Sequence, residues 1–187
     1  MTPDEARRSI EAWVREAVIG LGLCPFAAPV VAEGDLGIRV SDVTTAEEAL
    51  REVLSAASDL LDQHPGLGRT VLVGFTRSLS DFDEYLAVVA AVEGALQEAG
   101  AEGLIQVASF HPDYRFEGSE TDDLGNWTNR SPLPVVHLLQ EVDVGAAVAS
   151  HPDPEGIPAA NIRRLEELGL AGLEAVWCRF QTASEEE

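Results

Sequence analysis

Residues Arg69 to Phe110 read R-T-V-L-V-G-F-T (69–76), R-S-L (77–79), S-D-F-D-E-Y-L-A-V-V-A-A-V-E-G-A-L-Q-E-A-G (80–100), A-E (101–102) and G-L-I-Q-V-A-S-F (103–110). The first block is a continuous apolar run, the pattern of a strand buried on both faces. Ser80-Asp81 then opens a helix that carries Phe82, Tyr85, Leu86, Val89, Val92 and Leu96 at helical spacing and stops near Gly100. The last block is a second strand. A strand, a helix of this length and another strand predict a right-handed crossover and a largely parallel sheet. Ligands of such sheets collect outside the carboxyl ends of the strands, and His111 follows the second strand at that place.

Working outward, Gly37 to Val43 alternates as a further strand. Thr44 or Thr45, with Glu47 or Glu48, caps a helix whose apolar face is Leu50, Val53, Leu54, Ala57, Leu60 and Leu61, with a stop at His64-Pro65-Gly66. At the start, Thr2-Pro3-Asp4-Glu5 has the form of a capping box with proline in the first turn. Ile10, Trp13, Val14, Ala17, Val18 and Leu21 follow at helical spacing until Gly20 and Gly22, and Leu23 to Ala27 is an apolar segment that Pro25 keeps from continuing as helix. Downstream, a turn-rich loop of about twenty residues exceeds the usual connection length, which favours a functional segment. Val135, Val136, Leu138 and Leu139 mark a fourth strand within 134–141, with Asp143 capping a short helix after it. Residues 158–168 and a segment up to Trp177 are helical. The expected fold is α/β: a single compact domain over residues 1–181, with a four-stranded, mostly parallel (mixed) sheet packed with helices, then an acidic disordered tail over 182–187.

The composition narrows the function. The formal charge of −21 over 187 residues argues against nucleic acid and anionic membrane surfaces as partners, since either needs a basic patch. All 12 basic residues are arginine. Without lysine there is no Walker-type phosphate loop, no Schiff base and no lysine general base, so any fixed cation in a site is a guanidinium, suited to carboxylate or phosphate. The two cysteines, Cys24 and Cys178, form no C-x-x-C pair, which removes a zinc knuckle or dithiol motif. The start lacks the apolar core of a signal peptide and no apolar run reaches membrane-spanning length. A cytoplasmic protein with reduced thiols is expected.

The loop and the strand after it hold the chemistry-bearing residues. His111, Asp113, His137 and Glu141 combine imidazole and carboxylate, a donor set for zinc, iron or manganese. Without a metal, the same set makes a general base oriented by a carboxylate, with His111, His137 and Glu141 as the catalytic candidates. The alternative is structural: histidines satisfying buried backbone groups, and an ion pair between Glu141 and Arg130. Asn126, Asn129, Arg130 and Ser131 suit a carboxylate or phosphate on a small substrate, or equally the turns of a loop. Tyr114 and Trp127 could wall a pocket or cover the underside of the loop. Cys24 is a rival nucleophile, but it follows a helix and precedes a loop, so it lacks the helix N-terminus that activates a thiol. Cys178, between Trp177 and Phe180, reads as packing. His151-Pro152-Asp153-Pro154 echoes the H-P-D of 111–113 and reads as a turn.

At these residues the chain resembles the bacterial family catalogued as domain of unknown function 1415. The pieces that carry the resemblance are Leu23 to Ala27, Gln106 to Tyr114 with Phe116, Asn126, Asn129 to Pro132, and Pro134 through Glu141. Ile157-Pro158, Asn161-Ile162 and Leu168-Gly169 continue it along nearly the whole chain. One departure is Gln140, where the resemblance leads one to expect arginine beside the glutamate. The resemblance supports the boundaries and the motif and implies no reaction.

These readings lead to a small enzyme acting on an anionic metabolite, with or without a divalent metal. His111 and His137 would be ligands or acid–base groups, Glu141 and Asp113 ligands or orienters, and Arg130 with Tyr114, Asn126, Asn129 and Ser131 the substrate contacts. A non-catalytic small-molecule-binding or interaction module is the alternative, and a thiol enzyme using Cys24 a further one.

Overall fold

The computed structural model describes residues 1–62 and 69–182. Its sheet has four strands: β1 (Leu36–Ser41), β2 (Thr70–Phe75), β3 (Ile105–Phe110) and β4 (Val135–Gln140), in the order β1-β2-β4-β3. β1 pairs parallel with β2, whereas β4 runs antiparallel to both β2 and β3. Three strands therefore share one direction, and the crossover from β2 to β3 leaves a gap that the returning β4 fills. The sheet is mixed, and β2 is buried along its whole length, as its continuous apolar sequence requires.

The helices begin where their caps dictate. In α1 (Pro3–Trp13), Thr2 accepts the Glu5 N–H while the Glu5 carboxylate accepts the Thr2 N–H, the reciprocal capping box. α3 (Ala46–Leu61) starts at Thr45 and α4 (Phe82–Glu98) at Asp81, each side chain accepting the backbone N–H three residues on. α1 runs on into a π-helical stretch, Val14–Ile19. After Cys24 a short helix that the sequence did not suggest, α2 (Ala27–Glu33), buries no residue. α5 (Glu141–Ser150) starts two residues before Asp143, directly from the end of β4. The Glu141 N–H still bonds to Leu104 O, so strand pairing and helix meet at one residue, and Glu141 and Asp143 both lie in the first turn, where negative charge is favoured. Asp143 faces Arg69 at 3.8 Å. α6 (Ile157–Thr182) is two helices joined at a kink, where Gly169 has φ 67°. The stop expected at His64-Pro65-Gly66, and residues 183–187 of the expected tail, lie outside the described residues.

Alternation along the strands divides the core into two layers. Val136 and Leu138 point to the side covered by α3 and α4, where they meet Val53, Leu60, Val71, Phe75, Tyr85 and Val92. Val135 and Leu72 point to the other side, covered by α1 and α6 with Ile10, Trp13, Leu165, Leu173 and Phe180. On that second side Gly74 permits the contact: a Cβ there would lie 2.7 Å from Ile10 Cδ1. Trp177 and Phe180 pack inward from α6, and Cys178 is exposed. It was expected to pack with them, but one helical step turns a side chain by about 100° and carries Cys178 off their face. Among the described residues no helix is long and apolar enough to cross a membrane.

Candidate functional site

The carboxyl ends of β2 and β3 open into two loops, 76–81 and 111–134. The second is held by a hydrogen-bonded frame rather than by a core of its own. Asn126, fully buried, accepts the Phe116 N–H (3.0 Å) and donates to Glu120 O (2.9 Å). Asn129 donates to Ser109 O (3.0 Å), and its carbonyl accepts the His111 N–H (3.1 Å). Ser131 donates to Leu133 O (2.7 Å). A 3-10 turn, Leu124–Asn129, seats Trp127 edge-on to Trp177 of α6 at 4.8 Å. Three of the residues expected to touch a substrate, Asn126, Asn129 and Ser131, thus turn their polar atoms to the chain itself. Buried backbone groups need partners, and short polar side chains supply them where no ladder does.

His111 is fully buried and both of its ring nitrogens are engaged. Nε2 lies 3.0 Å from Leu79 O, a group that can only accept, so Nε2 carries the proton. Nδ1 in turn accepts the Asp113 N–H at 3.0 Å. Burial lowers its pKa against the opposing pull of the Leu79 carbonyl and of the Asp113 and Asp81 charges. The neutral ring lies among Phe82 (5.2 Å) and Tyr85 (5.1 Å). Leu79 itself has φ 61°, a left-handed conformation that costs a non-glycine residue on the order of 1 kcal/mol. Beside it the Ser78 hydroxyl is buried without a hydrogen-bond partner. Tyr85 Oη ties the two strand ends together, donating to Val135 O and accepting the Phe110 N–H, both at 2.8 Å, and burial pushes its pKa well up.

His137 lies elsewhere. It stands opposite Leu72 and Ala108 in the middle of the sheet, on the α1/α6 side. Thr70 donates its hydroxyl proton to Leu138 O (2.9 Å), so its oxygen accepts from His137 Nε2 at 2.6 Å. Part of the residue stays accessible, yet the imidazole is closely surrounded, and burial pushes its pKa down to about 4. Glu141 is exposed at the start of α5. Strand alternation would have put it on the same side as His137, but the strand ends at Gln140. Among the described residues no three His, Cys, Asp or Glu side chains form a group that could hold a metal ion. The four expected ligands, His111, Asp113, His137 and Glu141, are therefore not brought together: two sit at the loop, one within the sheet and one on a helix surface.

The structure does assemble a different set. An open cleft of about 300 Å³ lies over the loop end of the sheet. One wall is the start of α4, with Asp81, Phe82 and Asp83; the other is the long loop, with Asp113, Arg115, Thr121 and Arg130. Tyr114 backs it, edge-on to Phe82 at 5.3 Å, and its hydroxyl accepts from Ser109 Oγ at 3.4 Å. Arg130 lies over the Trp127 ring, 4.6 Å from its centroid, a cation–π contact. One of its terminal nitrogens donates to Thr121 O (3.2 Å), while Nε is buried and has no partner. Burial lowers its pKa and the Asp113 charge opposes that shift. The ion pair with Glu141, the alternative reading of the sequence, does not form. Asp81, Phe82, Asp83, Arg115 and Thr121 were not anticipated. Asp81 lies in the loop that follows β2, as His111 lies in the loop that follows β3, so the rule about carboxyl ends could have found it; it read only as a helix cap.

Cys24 sits between the π-helical stretch and α2, where burial raises the thiol pKa against the N–H groups of Phe26 and Ala27. A raised pKa means less thiolate at neutral pH, the opposite of an activated nucleophile. Its segment is clamped to α6: Asn161 donates to Leu23 O (2.7 Å) and Arg164 to Leu21 O. His151 accepts the Asp153 N–H at 3.1 Å, a turn contact like that of His111 but exposed.

Fold and site together define an α/β protein with a mixed four-stranded sheet and a charged cleft at the loop end of β2 and β3. The chain belongs to the family described as "Protein of unknown function (DUF1415)", whose model matches residues 5–175. No curated protein and no solved structure matches it.

Proposed function

We propose that the protein binds a small molecule carrying a carboxylate or phosphate in this cleft, with Arg130 as the anchor. The observation that carries the reading is the state of that guanidinium: held over the Trp127 ring beside the cleft, bonded at one terminal nitrogen to a carbonyl, with Nε buried and unpartnered. An unpaired buried donor is costly unless something accepts from it, and a planar guanidinium presents two parallel donors to an acid group. In a catalytic form of the same reading, the acid–base groups beside the ligand are the carboxylates of Asp81, Asp83 and Asp113. His111 has no ring nitrogen to spare, and His137 lies on the far side of the sheet. A purely binding role needs only the anchor.

The test is a titration of the protein and of Arg130→Gln with inorganic phosphate, succinate and β-alanine, followed by amide and indole NMR shifts. Saturable shifts confined to residues 79–83 and 111–131, and lost in the variant, are expected for at least one probe. Shifts of equal size in Arg130→Gln would overturn the reading.

A further inference from the structure

Charge around the cleft is divided between its walls without ion pairing. Some of the chain's arginines meet carboxylates closely: Arg69 reaches Glu33 at 2.5 Å and Asp35 at 2.7 Å, Arg39 reaches Asp59 at 2.6 Å, and Arg51 reaches Glu47 at 2.8 Å. Five charged side chains line the cleft, and no two of them come within 4.0 Å as an ion pair. Arg115 and Arg130 stand apart from Asp81, Asp83 and Asp113, with the open volume of the cleft among them. The frame keeps them so. Arg130 is fixed on Trp127 and Thr121, Asp81 is occupied at one oxygen as the cap of α4, and Asp113 is positioned through its N–H on His111.

Three carboxylates against two guanidiniums make the cleft negative, within a chain of formal charge −21. Such a field repels a simple anion even where one arginine favours it. A ligand that brings its own positive charge removes the conflict, giving Arg130 its acceptor and the carboxylates a donor. The volume, about 300 Å³, equals roughly ten water molecules' share of liquid, which suits a small metabolite rather than a polymer.

We infer that the ligand of this cleft is a small zwitterion, an amine-bearing carboxylate or phosphate, with its acid group on Arg130 and its ammonium group among Asp81, Asp83 and Asp113. This rests on the anion-anchor reading above and goes beyond it in the second charge. Arg115 would then balance the carboxylate not used by the amine.

The experiment compares β-alanine with propanoate, which differs from it by the amine alone, on the wild-type chain, on Arg130→Gln, and on Asp113→Asn and Asp83→Asn, with thermal melts to verify folding. β-Alanine is expected to bind at least about tenfold more tightly than propanoate, a difference of about 1.4 kcal/mol. That preference should shrink in Asp113→Asn or Asp83→Asn, while binding of both compounds weakens in Arg130→Gln. Equal, Arg130-dependent binding of the two compounds would overturn the zwitterion and leave the anion anchor standing. A preference for β-alanine that survives both Asp variants would overturn the assigned amine site. Binding of neither compound would overturn the zwitterion, while Arg130-dependent binding of phosphate or succinate would still keep the anchor; binding indifferent to Arg130 would remove the anchor and the zwitterion together.

Discussion

His111 and His137 carry the proton on the same ring nitrogen and are pushed the same way by burial, yet they do different work. His111 closes a circuit in which Nε2–H holds the Leu79 carbonyl and Nδ1 takes the Asp113 N–H, so it fixes both walls of the cleft at once. His137 makes one polar contact, with Thr70, inside a sheet that Leu72, Val135 and Leu138 already hold together. The difference shows that a buried histidine is defined by its second nitrogen. When both nitrogens are engaged, the ring is a post; when one is engaged, it is a polar guest in an apolar layer. Neither arrangement leaves a histidine base at the cleft, while Arg130, which lines it, has a buried and unpaired Nε.

The sharpest way to break the comparison is to remove the post. His111→Ala should cost about 3 kcal/mol of stability, combining a cavity with an unpaired Leu79 carbonyl and Asp113 N–H. It should also loosen loops 76–81 and 111–134, read as faster amide exchange there than in α3. Urea unfolding checks the first and exchange the second. A loss below about 1 kcal/mol, the ordinary scale of a single substitution, would mean that His111 is not what holds the walls.

The second test uses pH on His137. Its folded pKa, about 4, lies below the unfolded value of about 6.5. The unfolded chain therefore binds more protons between those values, so stability is full above about pH 6.5 and falls as pH drops toward 4. The loss is at most about 3 kcal/mol, and smaller to the extent that water at the exposed part of the residue tempers the shift. His111 is lowered in the same direction and adds to the slope. His137→Gln, which keeps a donor for Thr70, should lose less stability than the wild type between about pH 7 and pH 4.5. Parallel curves for the two proteins would show that His137 titrates as in water.

How far the sequence foretold these neighbourhoods follows from the same physics. The β2–α4–β3 unit was legible because burial on both faces writes a continuous apolar run and a cap writes Thr or Asp at a fixed offset; Thr2, Thr45 and Asp81 all act as read. α2 was not legible, because it buries nothing and so carries no periodic signal. The insertion of β4 between β2 and β3 was not legible either: a long connection sets no strand direction. In the loop, polar residue types marked a segment that lines the cleft but not the role of each side chain. Asn126 as a clamp on backbone and Arg130 as the proposed anchor are both polar residues near turns, and only the partners of each atom tell them apart.

That distinction gives the smallest and most specific test. Removing a satisfied residue should cost stability, whereas removing an unsatisfied one should leave stability nearly unchanged. Asn126→Ala strands the Phe116 N–H and the Glu120 carbonyl and should cost about 2 kcal/mol. Arg130→Gln gives up a cation–π contact worth about 0.5–1 kcal/mol and one bond to Thr121, but it also removes a buried donor that has no acceptor. Its stability should change by less than about 1 kcal/mol, the range of near-neutral substitutions, even though its binding titration goes flat. An Arg130→Gln protein as unstable as Asn126→Ala would make the guanidinium one more strut of the loop, and the cleft would lose its anchor.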